Sequence, residues 1–264
     1  GDPRMPDNRR NVIRQGRGTP TIVSVHGFLC RHQDWARQVT HFSAGHDGIA
    51  CDLRGHGASL RGDMPMRIET VGGDVAALLE ALDVTDAVLV GHSMGCRVVM
   101  EAWRQVPDRV AGLVMVDGSR FAEDPVTATK AIDAVIETNG YTPVVEAMFN
   151  GMFFGDPPPW KAEKMAQVLA IPEETGLPLL RSMIEWDASR LDPVLSAIDI
   201  PLHVIQSTAL GPDRYRRALN AGDISSYQQL LMDRVPGTTW ESVSAGHFCM
   251  MEVPETVNAS IERF

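Results

Sequence analysis

A serine hydroxyl attacks a carbonyl only when a base stands beside it and donors wait for the charge that develops on oxygen. Ser93, in Gly91-His92-Ser93-Met94-Gly95, stands where the backbone itself would present it for that work. Val88, Leu89 and Val90 ahead of it form an apolar, largely β-branched run suited to a strand buried on both faces, and Cys96 to Trp103 read as a buried helix. Gly-x-Ser-x-Gly between a strand and a helix predicts a turn tight enough to strain its central residue. The flanking glycines leave room where side chains would collide with the neighbouring strand and helix. The hydroxyl would then stand above a sheet, beside the positive end of a helix. Cys96 is a second nucleophile close by, but it falls inside that helix, where a small buried apolar side chain is expected, and it reads as packing.

The elements that must position this serine alternate along the chain. Thr21 to Val25, Ile49 to Leu53, Val88 to Val90, Ala111 to Val116 and Leu202 to Gln206 are apolar runs of strand length, with weaker strands at Asn11 to Arg14 and Thr239 to Val243. Helical spacing of apolar residues marks Gln33 to Phe42, Arg67 to Leu82, Asp223 to Arg234 and Pro254 to Phe264. Nearly continuous apolar strands alternating with helices predict an α/β fold, a mostly parallel, doubly wound sheet covered on both faces. Ligands of such sheets bind beyond the carboxyl ends of the strands, where the turns holding Phe28, Ser93 and Asp117 all fall. Residues 121–196 break the alternation. Val126 to Ile136, Val144 to Phe154 and Met165 to Trp186 have helical spacing and no strand-like run. This stretch is expected to form a helical cap over the strand ends, with 1–120 and 197–264 as the core.

Composition narrows the partners. The 264 residues suit one large domain or a core with a modest insertion. A net charge of −10 with no basic run argues against nucleic acid. No apolar stretch approaches the ~20 residues of a membrane span. The polar N-terminus has no signal-peptide pattern, and Gly1 to Arg4 ahead of Met5 read as a cloning remnant. The cysteines Cys30, Cys51, Cys96 and Cys249 show neither metal-ligand spacing nor a disulfide framework. A cytoplasmic, reduced setting is the expectation, with a small molecule as partner and no metal or cofactor.

Four local patterns, in this order and spacing, resemble the α/β-hydrolase superfamily: His26-Gly27-Phe28, Asp52-Leu53-Arg54-Gly55-His56-Gly57-Ala58-Ser59, the Ser93 turn, and Ala245-Gly246-His247-Phe248. The resemblance covers nearly the whole chain. It implies Ser93 as nucleophile and His247 as the base that takes and returns its proton. It also implies the backbone N–H groups of Phe28 and Met94 as the oxyanion hole. For the acid that orients the histidine, many relatives place an aspartate a few residues after the strand that here is Leu202 to Ile205. This chain reads Gln206-Ser207-Thr208-Ala209-Leu210-Gly211-Pro212-Asp213, which brings Asp213 about three residues late. Other branches take the acid from the end of the preceding core strand, where Asp117 stands. Asp117 is the expected acid and Asp213 the alternative.

The expected reaction is cleavage of an ester or related acyl bond through an acyl-enzyme. Met148, Phe149, Met152, Phe153, Phe154 and Trp160, with Phe248, Met250 and Met251, would give an apolar, adaptable pocket wherever they face the sheet. Arg97 and Arg120 could meet a single carboxylate. Within the same resemblance stand C–C bond hydrolases, cofactor-free dioxygenases of hydroxyquinolones and non-catalytic ligand receptors. Haloalkane dehalogenases and epoxide hydrolases fit poorly, because they carry aspartate where this chain has Ser93.

Overall fold

The computed structural model describes residues 11–220 and 222–264, and the polar stretch around Met5 lies outside them. The described chain opens with β1 (Val12–Gln15) and β2 (Thr21–Val25), then a short 3-10 turn running into α1 (Ala36–Phe42). β3 (Gly48–Cys51), α2 (Ile68–Ala81), β4 (Ala87–His92), α3 (Met94–Gln105) and β5 (Val110–Val116) follow. Between β5 and the next strand stand α4 (Pro125–Asn139), α5 (Tyr141–Asn150), α6 (Lys161–Ala170), α7 (Glu173–Ser189) and α8 (Leu191–Ala197). The remainder comprises β6 (Leu202–Gln206), a hairpin of β7 (Thr208–Leu210) and β8 (Arg216–Ala218), α9 (Ser226–Arg234), β9 (Thr239–Ser242), α10 (Cys249–Glu252) and α11 (Pro254–Arg263).

Seven strands make one sheet in the order β1-β3-β2-β4-β5-β6-β9, and each neighbouring pair is parallel except β1 with β3. β2, β3, β4 and β6 are buried along their whole length, and β5 at every residue but Ala111. That follows from their continuous apolar sequence, since a parallel strand is covered by helices on both faces. From β2 the chain first moves outward to β3, then returns to β4 on the other side. The strand order reverses there, so the carboxyl ends of β2 and β4 flank the crevice where such sheets take ligands.

The helices between β5 and β6 are tied to the core by charges sealed from water. Arg97 on α3 pairs with Asp187 on α7 at 2.6 Å, with both side chains at most 2 % exposed. Lys164 on α6 pairs with Asp34, beside α1, at 2.5 Å and is similarly buried. Trp186 Nε1 donates to Glu101 Oε1 at 2.9 Å.

Three details depart from the sequence expectation. The helical run Met165 to Trp186 is two helices, because Pro172 takes an extended backbone (φ −61°, ψ 149°) before α7. The helix expected over Val144 to Phe154 stops at Asn150. The β7–β8 hairpin was not anticipated, and Asp213 lies in its turn. Strands of three residues are too short to show an alternating pattern. Among the described residues no helix is long and apolar enough to cross a membrane.

Candidate active site

Ser93 has φ 56° and ψ −114°, a conformation forced by the passage from β4 into α3. Its N–H donates to Val116 O at 3.0 Å, which locks the turn to β5. The two glycines have separate reasons. A Cβ on Gly91 would come within 2.3 Å of Gly95 O, and one on Gly95 within 2.5 Å of Val25 O. No other residue fits either place without moving backbone. Cys96 lies behind the turn, its thiol donating to Gly91 O at 3.3 Å, and burial pushes its pKa up to about 12. A thiol held protonated is a poor nucleophile.

The expected base comes from the other end of the chain. His247 sits between β9 and α10, its N–H donating to Met152 O at 3.0 Å and its carbonyl accepting from His92 Nε2 at 2.8 Å. Its Nδ1 lies 2.6 Å from Asp117 Oδ2. A carboxylate partner means Nδ1 carries the proton, which leaves Nε2 as the free basic nitrogen. Asp117 follows β5 with φ 46°, and its N–H is tied to Ile205 O at 2.8 Å. Oδ1 accepts from the N–H groups of Ser207 and Thr208, both at 2.8 Å, and Oδ2 also accepts from Thr208 Oγ1 at 2.6 Å. Burial raises the pKa of this carboxyl, but the bonds from His247 and Thr208 and the charge of Arg216 outweigh it and bring it down to about 2. Burial and then Arg216 push His247 down to about 4, against the pull of Asp117.

Asp213 is in a different position. It is exposed on the hairpin turn and paired with Arg217 at 2.6 Å. The structure brings His247 to Asp117 and leaves Asp213 apart from that contact.

Ser93 and His247 line one cavity of about 350 Å³, together with Gly27 and Phe28. Ser93 Oγ and His247 Nε2 are not hydrogen-bonded to each other, a looseness common before substrate binds. The turn after β2 passes close beside Ser93, since a Cβ on Gly27 would meet Ser93 Cβ at 3.3 Å. His26 fixes that turn. It donates from Nδ1 to Gly27 O at 2.7 Å and accepts at Nε2 from Leu53 N at 3.0 Å. The N–H groups of Phe28 and Met94 have no acceptor among the described residues. The Met94 N–H opens α3 directly after Ser93, where helix N–H groups lack intrahelical partners.

Of the apolar residues expected at the pocket, Met148, Phe149, Met152 and Phe248 line the cavity. Phe153 and Trp160 instead pack behind Phe248, with ring centroids 5.6 and 5.8 Å away. Met250 is buried in the core. Arg97 and Arg120 are not open to a substrate carboxylate: Asp187 closes the first, and Asp192, at 2.7 Å, the second. The residue that sequence reasoning missed is Arg216, which lines the cavity 3.9 Å from Asp117 Oδ2. Its only sequence signal was a run of arginines at 214, 216 and 217, which reads equally well as a solvated turn. Among the described residues no group of three or more His, Cys, Asp or Glu could hold a metal ion.

The family of the alpha/beta hydrolase fold matches residues 20–252. The chain is 27 % identical over 248 residues to 3-oxoadipate enol-lactonase 2 of Acinetobacter baylyi, covering 92 % of this chain and 87 % of that one. It is 25 % identical to epoxide hydrolase A of Mycobacterium tuberculosis, covering 97 % and 94 %. Among solved structures, one described as an N-acyl homoserine lactone degrading enzyme superposes with a TM-score of 0.77 at 23 % identity, over 97 % of this chain and 96 % of that one.

Proposed function

The chain belongs to the alpha/beta hydrolase fold family, and from that premise we propose that it is a serine hydrolase of carboxylic esters or lactones. The observation that carries the reading is the 2.6 Å contact of His247 Nδ1 with Asp117. It leaves Nε2 free for a hydroxyl in the same cavity. Ser93 Oγ attacks the carbonyl carbon while His247 Nε2 takes its proton. The N–H groups of Phe28 and Met94 receive the oxyanion, and each such donor is worth about 3 kcal/mol in the transition state. His247 returns the proton to the leaving alcohol oxygen, which leaves an ester on Ser93. Water, deprotonated by the same nitrogen, then releases the acid. In a lactone the leaving oxygen stays on the acyl chain, so one product forms instead of two.

The names of the enol-lactonase and the lactone-degrading relative support an acyl substrate. Epoxide opening fits less well, because Ser93 stands where relatives with that activity carry a carboxylate. The test is intact mass after a fluorophosphonate probe, alongside turnover of short p-nitrophenyl esters. One adduct on the wild type, none on Ser93→Ala, and a kcat lowered by several orders of magnitude in that variant are expected. Substantial turnover by Ser93→Ala would overturn the mechanism.

A further inference from the structure

Three charged residues on the cavity wall, Asp213, Arg214 and Arg216, have no part in that mechanism, and Arg216 is the most buried of them. Arg216 stands on β8 with its side chain 6 % exposed, in the same cavity as Ser93. Its Nη1 donates to Thr208 Oγ1 at 3.2 Å and lies 3.9 Å from Asp117 Oδ2. Asp117 already receives four hydrogen bonds, from Ser207 N, Thr208 N, Thr208 Oγ1 and His247 Nδ1. It attracts the guanidinium without bonding it. Among the described residues no acceptor meets Nε or Nη2 of Arg216. A guanidinium has five N–H donors in a planar fork, and Nε and Nη2, which have no protein acceptor, are not sealed from the cavity. The apolar part of the wall, Phe121, Ile132, Met148, Phe149 and Met183, offers it no acceptor, and the exposed Arg214 on the same wall adds a second positive charge. The nearby carboxylate of Asp213 is turned to Arg217.

We propose that Arg216 is an anion subsite: the substrate is a largely apolar ester or lactone that also carries a carboxylate, which Arg216 Nε and Nη2 grip as a fork. A carboxylate matches that fork with two parallel bonds and answers the donors that the protein leaves open. Charge adds a second effect. Arg216 opposes protonation of His247, whose other neighbours are Asp117, the neutral buried ring of His92 and, behind Gly246, Glu252. A substrate anion on Arg216 offsets that opposition, so its presence favours turnover as well as binding.

The position of the ester rests on the serine-hydrolase reading, whereas the subsite can be tested without turnover. In the first arm, calorimetry on the Ser93→Ala protein compares glutarate with its neutral diamide. Glutarate should bind roughly 10- to 100-fold more tightly, the range of a charge-assisted bond, and Ser93→Ala/Arg216→Gln should lose that preference. Where Arg216→Gln fails to fold, Arg216→Lys keeps the charge beside Asp117 but not the fork, and should lose a severalfold part of it. Equal affinity for the two compounds, a preference that survives Arg216→Gln, or one that Arg216→Lys leaves undiminished, overturns the subsite.

In the second arm, kcat/KM is measured on the wild type for monomethyl and dimethyl glutarate. The half-ester should lead by about tenfold or more, and Arg216→Gln should collapse the ratio. A lead for the diester, with Ser93 still labelled by a fluorophosphonate, overturns the subsite and leaves the hydrolase reading standing. Inertness to both esters with no labelling overturns the hydrolase reading, and the calorimetric arm then decides the subsite alone.

Discussion

Replacing Asp117 by asparagine removes one oxygen from a carboxylate whose acceptor sites are all in use. The amide oxygen can stay where Oδ1 is, accepting from Ser207 N and Thr208 N, both at 2.8 Å. The amide nitrogen then faces Thr208 Oγ1 and His247 Nδ1, each 2.6 Å from Oδ2 in the native protein. The hydroxyl can rotate and accept. The imidazole cannot adapt so freely: to accept at Nδ1 it must move its proton to Nε2, the nitrogen that in the proposed mechanism receives the proton of Ser93. The base is then in the wrong tautomer, a defect that costs on the order of 10⁴ in kcat, or about 5 kcal/mol of activation free energy. Folding should suffer less. Arg216 loses its counter-charge at 3.9 Å, and an uncompensated buried polar group costs about 1–3 kcal/mol. Asp213→Asn alters an exposed carboxylate that accepts from Arg217 and from Tyr215 N, without contact with His247, and should change kcat by less than about tenfold. The assay is kcat on a small ester for both variants, with near-ultraviolet circular dichroism to verify that each is folded. A folded Asp117→Asn within tenfold of the wild type, beside a dead Asp213→Asn, would refute the reasoning and return the acid to the hairpin.

The sign of the pH dependence follows from the proposed base. His247 must be neutral to accept a proton, and its pKa is pushed down to about 4, so kcat/KM should stay level through the mildly acidic range and fall only as pH drops through that value. A midpoint at or above the ordinary histidine value of about 6.5 counts against the burial and the Arg216 effect. Ser93→Gly should raise the denaturation midpoint relative to Ser93→Ala, by roughly 1 kcal/mol of stability, because φ 56° is open to glycine and strained for alanine. Equal midpoints would mean that the turn stores no strain. Cys96→Ala should still be labelled at Ser93 by a fluorophosphonate, and loss of labelling in a folded protein would move the chemistry toward the thiol.

Much of the fold was legible because its signals are local. β2 and β6 match their apolar runs from end to end, and β4 and α3 announce themselves through the glycines around Ser93. The proximity of Ser93 to the turn at Phe28 follows from a parallel sheet, which puts both at the same edge. The choice between Asp117 and Asp213 was harder to read, because it depends on where the chain goes after Gln206. That path is set by the three-residue strands of the hairpin, whose pairing of Thr208 with Ala218 leaves no periodic trace in sequence. Arg216 was missed for the same reason. Whether an arginine on a short strand faces solvent or a cavity depends on the direction of a hairpin, not on its neighbours in sequence. The pairing of Arg97 with Asp187 joins residues 90 positions apart, and nothing near either residue announces it.

The ion pairs that bind the helical insertion to the core bear on how the cavity opens. Arg97 with Asp187 and Lys164 with Asp34 are both closed to water. Their attraction is strong while they touch, and their hydration is available only once they are fully parted. A displacement of an ångström or two that separates them but keeps them dry has neither benefit. Intermediate positions of the insertion are therefore the least favourable ones. The expected motion of α6 and α7 against the core is therefore small vibration in the shut position and rare complete excursions. The cavity over Ser93 is expected to act as a latched compartment whose volume substrates meet rather than shape.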